Sequence, residues 1–418
     1  MTEMRSMLDE FARQAKTYDV VERAYRRSER QRRLMRVAGG TTAAVLASAA
    51  GFGGAALAGV FGASAPIPDG QAPTATLAEL PPAALPTIEP APPFPTSCSA
   101  QRLPLPAGLD DKSVVSGGDP TGRYLIGIGF HFDSQGGVLE NPLLWDNGQV
   151  IEIPVPGVGE PRSVDVNTSG DVIIVFSGDV TDGYYYHDGT LTQLAGSEAT
   201  PVAINDGGEV VGSVGVPSGE STGGSTLYTT RPAVWHTPTA QPELLGPDDL
   251  QGTAIGIDDD GTVTVAVNAG AHLDGAATLE RFTPDGSAGA VGLPAPNDFR
   301  GFAYAEGWLE GFHRDGGAVG PVWHISAPDQ VVDPGFLFGG AMNGHGWVAG
   351  GTDLTPPVLW SPDGTSVELP SLTGSYSDHP ADDLNFVSDD GHIVAGQVDA
   401  PATSTIHDGP IAVVWHCS

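Results

Sequence analysis

Basic side chains are scarce in this chain beyond its first 36 residues. Ten of its 18 lysine and arginine residues lie in residues 1–36, and within a total charge of −33 the rest of the chain carries −37. Phosphate backbones and anionic lipids are bound through clustered Lys and Arg side chains. The shortage therefore excludes nucleic acid as a partner. It is typical of an exported domain kept soluble by its negative charge.

Cysteine and catalytic motifs are equally scarce. The chain has two cysteines, Cys98 and Cys417, so no CxxC metal site can form, and it contains no HExxH motif. These motifs supply the zinc ligands of common metalloproteins and hydrolases. We therefore predict no catalytic residue, no metal site and no cofactor, and a binding protein is favoured over an enzyme.

One short pattern recurs seven times between Lys112 and Trp415. Each copy has a polar residue three positions before a glycine and then a β-branched run, as in NTSGDVIIV and NDGGEVVGS; the fifth copy, AYAEGWLEG, is degenerate. The polar side chain bonds to nearby backbone while glycine takes a positive φ, which is the chemistry of a tight hairpin. The seven turn glycines are Gly122, Gly170, Gly208, Gly261, Gly307, Gly346 and Gly391.

The spacing of these glycines predicts the fold. Their mean period of about 45 residues accommodates four short strands, and an aromatic residue such as Trp145 or Trp235 closes the third strand of each copy. One such sheet cannot cover both of its faces, so neighbouring copies must stack and close into a ring. We predict an all-β, seven-bladed β-propeller of four-stranded blades over residues 98–418.

The two cysteines lie where the ring must close. The seventh copy ends at AVVWHCS without its last strand, and SCSAQRLPLP, ahead of the first copy, supplies that strand with Leu103 and Leu105 facing inward. This pairing brings Cys98 near Cys417, so we predict a disulfide that locks the ring and requires an oxidising compartment. The alternative is a buried free thiol at each position.

Residues 37–61 predict a transmembrane helix. They include no charged side chain, and 25 residues at 1.5 Å each can cross the hydrocarbon core. Arginines precede this segment and no basic residue follows it for the next 36 residues, which places the N-terminus in the cytoplasm and the propeller outside. The alternative is a secretory signal cleaved near Ala65.

The segments on either side of this span have distinct compositions. Residues 1–36 place Met4, Met7, Leu8 and Phe11 on one helical face, which predicts an amphipathic cytoplasmic tail that either binds a protein partner or only sets the topology of the membrane span. Residues 62–97 are rich in Pro and Ala and predict an extended, semi-rigid linker of polyproline type.

Two resemblances rest on these segments. The start MTEMRSMLDEFARQAKTYDVVERAYRRSERQRRLMRVAGG resembles single-pass actinobacterial envelope proteins, some of which are encoded with sigma factors, and this resemblance implies a tail that regulates a sigma factor. The outer repeats, such as AINDGGEVVG, are similar to HAF-type repeats and to WD-repeat propellers. That second resemblance implies a fold and leaves the ligand open.

Neither the histidines nor the acidic run predicts a metal or catalytic site. His187, His236, His324 and His416 each follow a closing aromatic, a position that the repeat itself explains, and Asp258-Asp259-Asp260 occupies a hairpin turn without the alternating spacing of calcium loops.

Two places where the repeats differ are candidate interface positions. The insertion VPSGESTGGSTLYTTRP carries Tyr228 and Arg231, and GLPAPNDFRGF carries Phe299, Arg300 and Phe302. The sequence thus predicts a membrane-anchored extracytoplasmic propeller that binds a protein or a cell-wall component. A secreted propeller hydrolase or lyase, and an anti-sigma-like regulator acting through residues 1–36, are the alternatives.

Overall fold

The computed structural model describes the C-terminal part of the chain, from Leu85 onward with short gaps. The described ranges are 85–109, 112–132, 138–156, 160–177, 181–222, 225–267, 278–294, 299–313, 320–336, 338–351, 356–372, 384–399 and 410–418. The predicted tail of residues 1–36, the predicted span of residues 37–61 and residues 62–84 of the predicted linker lie outside them. Within the described ranges, no helix is both long and apolar enough to cross a membrane.

The described residues form short strands separated by tight turns. In chain order they are β1 (Cys98–Arg102), β2 (Ser113–Gly118), β3 (Tyr124–Phe132), β4 (Val138–Asp146), β5 (Gln149–Glu152), β6 (Glu160–Val166), β7 (Val172–Ser177), β8 (Thr181–His187), β9 (Thr190–Gln193), β10 (Thr200–Ile204), β11 (Val210–Thr222), β12 (Ser225–Trp235), β13 (Glu243–Leu244) and β14 (Gly252–Ile257). The remaining strands are β15 (Val263–Val267), β16 (Thr278–Phe282), β17 (Ala288–Val291), β18 (Phe299–Ala305), β19 (Trp308–His313), β20 (Val322–His324), β21 (Phe338–Met342), β22 (Val348–Gly351), β23 (Val358–Trp360), β24 (Ser366–Glu368), β25 (Leu384–Val387), β26 (Ile393–Asp399) and β27 (Pro410–Cys417).

These strands form seven antiparallel sheets, which we number as blades in chain order. Blades 1 to 4 are β2–β5, β6–β9, β10–β13 and β14–β17; blade 5 is β18–β20, blade 6 is β21–β24, and blade 7 is β25–β27 with β1 at its edge. The first strand of each blade contacts the first strand of the next, and that of blade 7 contacts that of blade 1. The chain is therefore a closed seven-bladed β-propeller with these strands innermost, as the repeat predicted.

Blade 5 departs from the four-stranded prediction. Within the described residues its sheet has three strands, and the place of the fourth is taken by one bridge between Val322 and Val332. This is the blade whose sequence repeat is degenerate, so weak local patterning coincides with an incomplete sheet.

The hydrophobic core consists of seven clusters, one between each pair of neighbouring blades. The cluster between blades 7 and 1, for example, joins Phe386 and Val414 to Val115 and Trp145. Among the described residues, the cluster between blades 5 and 6 is the smallest, with Val322, Phe336 and Val348 as its buried members. Each blade thus buries its faces against its neighbours, which is how a propeller core is distributed.

The ring closes as predicted. Strand β1 pairs antiparallel with β27, Cys98 lies opposite Cys417, and their sulfur atoms form a disulfide. Leu103 and Leu105 pack into the cluster between blades 7 and 1, but both follow β1, which ends at Arg102. The inward positions that the sequence indicated are correct, although they belong to the segment leaving the strand.

The hairpin turns between the first and second strands have the predicted geometry. All seven turn glycines have positive φ, and in six blades the glycine amide donates to the carbonyl of the polar residue three positions earlier at 2.8 to 3.0 Å. Blade 5 instead turns through Glu306 and Gly307, both with positive φ. Glycine is required at these turns because positive φ strains residues that carry a Cβ.

Three of the closing tryptophans fix their blades to the chain that enters them. The indole nitrogens of Trp145, Trp235 and Trp415 donate to backbone carbonyls at 2.7, 2.7 and 2.9 Å; these acceptors are Pro104, Ala195 and Pro370. In these three blades the aromatic ring is buried while its N–H is satisfied, which favours Trp at this position.

Candidate binding surfaces

We call the side of the ring that carries the hairpins between first and second strands the turn face. Here side-chain amides link successive blades. Asn167 Nδ2 donates to the carbonyl of Asn205 at 3.1 Å, Asn205 Nδ2 to that of Asp258 at 3.4 Å, and Asn343 Nδ2 to that of Ser388 at 2.9 Å. The polar residue of the repeat therefore caps its own turn and also holds the next blade.

A second series of hydrogen bonds runs beside the first. The Thr168 amide donates to Asp206 Oδ1 at 3.0 Å, and the Gly344 amide donates to Asp389 Oδ1 at 2.9 Å. The Asp389 amide in turn donates to the carbonyl of Pro120 in blade 1 at 2.8 Å. These carboxylates are held near the axis of the ring because backbone amides of the preceding blade bind them.

The turn residue of blade 4 is Asp258, which has no side-chain amide to donate to blade 5, and a polar cluster joins these two blades instead. Asp258 of blade 4 accepts from Arg281 Nη2 at 2.6 Å and from the hydroxyl of Tyr304, and Arg281 Nη1 also contacts that hydroxyl at 3.1 Å. Arg281 is 2 % exposed. Burial, followed by the charge of Asp258, raises the pKa of Tyr304, so the phenol stays a hydrogen-bond donor.

The mouth of the ring on the turn face is acidic. Desolvation, and then the charges of Asp389 and Asp259, raise the pKa of Glu306 to about 7. Desolvation also raises the pKa of Asp389. Among the described residues no group of three or more His, Cys, Asp and Glu side chains has the geometry to hold a metal ion.

Two of the four histidines that follow closing aromatics form pairs with carboxylates at hairpin ends. His187 Nδ1 pairs with Asp171, and His236 bonds to Glu209 at 2.7 Å and to Glu243 at 3.0 Å. These bonds raise the pKa of both histidines. Asp171 and Glu209 each follow a turn glycine, so these two pairs join the start of the second strand to the end of the third.

His324 has a different environment. It is 2 % exposed, its Nδ1 lies 2.7 Å from Ser326 Oγ, and burial lowers its pKa, so the ring is neutral near pH 7. His324 therefore acts as a packed, uncharged ring rather than as one half of an ion pair.

Two carboxyl groups have strongly raised pKa values inside the blades. Asp165 accepts from the amides of Val166 and Ile204 at 2.9 and 3.0 Å, and desolvation raises its pKa to about 7. Glu310 is fully buried, neither of its carboxyl oxygens has a hydrogen-bond partner among the described residues, and desolvation raises its pKa to about 8. Strand alternation places Glu310 on the same side of β19 as Trp308, toward blade 6.

The insertion in blade 3 forms an arm on the side opposite the turn face. Strands β11 and β12 pair from Val210 and Trp235 out to Thr222 and Ser225, whereas the inner strand β10 pairs with β11 only as far as Ser213. Beyond that point the hairpin is two-stranded and projects from the blade. The sequence predicted a variable rim loop here, and it forms strand as well because Val, Thr and Tyr favour extended backbone.

The two candidate residues of this insertion have opposite environments. Tyr228 is 47 % exposed on the arm. Arg231 is 5 % exposed and its guanidinium donates at 2.9 to 3.4 Å to the carbonyls of the segment entering blade 4; the acceptors are Leu245, Gly246, Pro247 and Asp248. Tyr228 is thus available to a partner, whereas Arg231 shapes the loop beside the arm.

The second candidate group lies on the innermost strand of blade 5. Phe299, Arg300 and Phe302 belong to β18, and the inner-strand bulge that occurs in every blade falls at Arg300. Their side chains lie outside the described residues, so an interface role for them stays a prediction.

Comparison with known proteins reveals a distant likeness. No protein-family model and no curated relative matches the chain. Solved structures similar to it include U3-55K (11 % identity, 75 % of this chain and 98 % of that one, TM-score 0.40) and the β-propeller domain of the Trilobed protease from Pyrococcus furiosus (10 %, 73 % and 95 %, 0.43). YCF48 from Cyanidioschyzon merolae is similar at 10 % identity over 76 % of this chain and 98 % of that one, with a TM-score of 0.39.

Proposed function

We propose that this protein is a membrane-anchored, extracytoplasmic binding module in which a disulfide-closed propeller displays an arm to a protein or cell-wall ligand. The anchor is residues 37–61, and residues 1–36 remain in the cytoplasm, where their amphipathic face can bind a second protein. The Cys98–Cys417 disulfide supports this location because such bonds persist in oxidising compartments. The charge of −37 beyond residue 36 supports an exposed, soluble outer domain.

The arm is the observation that carries the binding role. It is a departure from the repeat that the propeller does not need for its own core, since β11 and β12 continue past the last pairing of β10. An exposed tyrosine such as Tyr228 offers apolar area and a hydroxyl at small entropic cost, which is why Tyr is common in binding surfaces.

A binding role is also supported by how the described titratable side chains are used. His187 and His236 are engaged with carboxylates of their own blades, and Arg231 and Arg281 are buried among carbonyl or carboxylate oxygens. A general base needs a free lone pair directed at a substrate. These groups instead complete the hydrogen bonds of hairpins and loops.

Site-specific cross-linking tests the arm. A photoreactive amino acid replaces Tyr228 in the full chain, and a matched protein carries it at Asp363, an exposed turn of blade 6. We expect a discrete cross-linked product in intact cells from position 228 only. Equal cross-linking from both positions would show that the arm is not the binding surface.

The membrane topology needs a separate test. Intact cells that express the chain with a tag at each end are treated with protease. We expect the C-terminal tag to be lost from the membrane fraction while the N-terminal tag is protected. Recovery of a soluble form beginning near Pro66 would show that the N-terminal segment is a cleaved signal.

A further inference from the structure

We propose that Trp308 and Trp347 form an aromatic platform on the turn face that binds extended proline-rich segments, and that residues 85–95 of the same chain occupy it as an exchangeable intramolecular ligand. This site lies on the side of the ring opposite the arm and is independent of the function proposed above.

The repeats mark this platform by a change of residue type. The position after the turn glycine is Arg123, Asp171 and Glu209 in blades 1 to 3, and each of these is paired with a charged or ionisable side chain at the end of the third strand. In blades 5 and 6 the same position is Trp308 and Trp347. Two adjacent blades thus carry large aromatic rings where blades 1 to 3 carry ion pairs.

Each ring packs on the turn of the next blade, so the two rings follow one another along the turn face. A β-carbon at Gly346 would lie 2.5 Å from Trp308 Cε3, so the Trp308 ring of blade 5 rests on the turn of blade 6. A β-carbon at Gly391 would lie 2.3 Å from the Trp347 ring, which therefore rests on the turn of blade 7. His324, neutral and packed edge-on against Trp308 with ring centroids 5.3 Å apart, extends the surface.

The chain's own segment contacts this surface at both ends. Phe94 packs edge-to-face on Trp347 with ring centroids 4.9 Å apart, and Pro95 is buried beside Gly391. At the other end Pro86 and His324 both approach Gly307, since a β-carbon there would lie 2.7 Å from each. Residues 86 to 95 thus cross the turn face from blade 5 to blade 7, although the sequence alone predicts only a spacer here.

The contact uses side chains rather than backbone. No backbone hydrogen bond joins residues 85–95 to the described residues of the blades, and the first such bonds come from the amides of Thr96 and Ser97 to the carbonyl of Ser418. Residues 87–91 are exposed between the two points of contact. Aromatic surfaces that bind polyproline-type segments work in this way, because such segments are already extended and donate few hydrogen bonds.

A segment held by a few apolar contacts at its ends can be displaced by a second one. The local concentration of the tethered segment is in the millimolar range, so a peptide in solution competes poorly with the intact chain. Weakening the tethered copy removes that competition. The full chain with Phe94→Ala should therefore accept an added peptide that the natural chain largely excludes.

The experiment measures the fluorescence anisotropy of a labelled peptide, LPTIEPAPPFPTS, which is the sequence of residues 85–97. The peptide is titrated with three full-length proteins: the natural chain, Phe94→Ala, and Tyr228→Ala, which is a control on the opposite side of the ring. We expect Phe94→Ala to bind the peptide at least ~10-fold more tightly than either other protein, since the tethered competitor is weakened. A peptide with alanine in place of its phenylalanine should not bind.

Equal binding of the two peptides, or no binding to Phe94→Ala, overturns the proposal and leaves residues 85–95 as permanent packing. If Phe94→Ala does not keep the melting temperature of a folded propeller, Pro86→Ser replaces it. Pro86 is half-buried at the far end of the segment, and its variant should raise peptide binding by a few fold under the same criteria.

Discussion

The ring of Tyr304 in blade 5 lies directly against the backbone of Gly256 in blade 4. A β-carbon at Gly256 would stand 2.1 Å from Tyr304 Cδ1, closer than any real contact allows. Gly256 follows the bulge of its inner strand, and Gly117 occupies the same place in blade 1. This approach lets Tyr304 reach Asp258 and substitutes for the inter-blade link that blade 5 lacks.

The first prediction concerns this contact. Gly256→Ala should displace the Tyr304 ring, break its bond to Asp258 and lower the free energy of unfolding by about 1–3 kcal/mol, the usual cost of overpacking a core. Gly117→Ala is the matched control, because its β-carbon would meet nothing closer than 3.8 Å. Urea denaturation gives the free energy of unfolding of both variants. Equal losses of stability would contradict the role assigned to the contact between Gly256 and Tyr304.

The disulfide should contribute a large share of the stability. It closes a loop with a sequence separation of 319, and in the chain-entropy model such a bond adds up to about 5 kcal/mol. Cys98→Ser/Cys417→Ser should therefore unfold at a lower urea concentration, as urea denaturation of the two proteins would show. An unchanged urea midpoint would mean that β1 pairing and the Leu103 contacts are sufficient to keep the ring closed.

Stability should fall as the pH rises from weak acid toward pH 8. The pKa of Glu310 rises from 4.5 to about 8 on folding, so between those values the folded state holds a proton that the unfolded state releases. The free energy of unfolding then falls by about 1.4 kcal/mol per pH unit for this group. The raised pKa values of Asp165 and Glu306 act with the same sign but lie at about 7, so of these three carboxyl groups Glu310 contributes most to the slope between pH 7 and 8. Glu310→Gln should flatten the profile in that interval; an unchanged slope there would assign it to other groups.

Three histidines should titrate in a set order. The pKa values of His187 and His236 are raised by bonds to carboxylates, and that of His324 is lowered by burial. The attraction within the first two pairs is complete below the unfolded pKa of about 6.5 and is lost as the pH rises through the raised values. NMR titration should place His324 lowest, and Asp171→Asn should lower the value of His187 while leaving His236 unchanged.

Arg231 should matter for folding and Tyr228 for binding. Arg231→Ala leaves several loop carbonyls without their donor and should cost about 1–3 kcal/mol of unfolding free energy. Tyr228→Ala removes an exposed ring and should change stability by less than about 0.5 kcal/mol. Thermal melts compare the two. A destabilised Tyr228→Ala protein would show that the arm packs against the blades.

The parts of the fold that sequence patterns predict are those set by local chemistry. The turn glycines and the closing tryptophans recur because each satisfies a requirement of its own blade: a positive φ, or a buried ring with a bonded N–H. The Cys98–Cys417 bond follows from the same repeat, since only a strand from before the first copy can complete the last blade.

Other features depend on contacts between distant residues, and the sequence did not reveal them. Arg231 looked like an interface residue because nothing local shows that four carbonyls surround it. Residues 85–97 looked like part of a spacer because prolines form no strand, and the partner of Phe94 is a tryptophan about 250 residues later in the chain. A signal was present in the repeat, where Trp follows the turn glycine in blades 5 and 6 alone.

The pairing of β1 with β27 also sets an order for biosynthesis. Cys98 is synthesised 319 residues before Cys417, so β1 has no partner strand until β27 at the end of the last blade has been synthesised. Oxidation of this thiol pair can therefore occur only after the last blade has been synthesised. The disulfide serves as a chemical record that synthesis of the whole propeller has been completed.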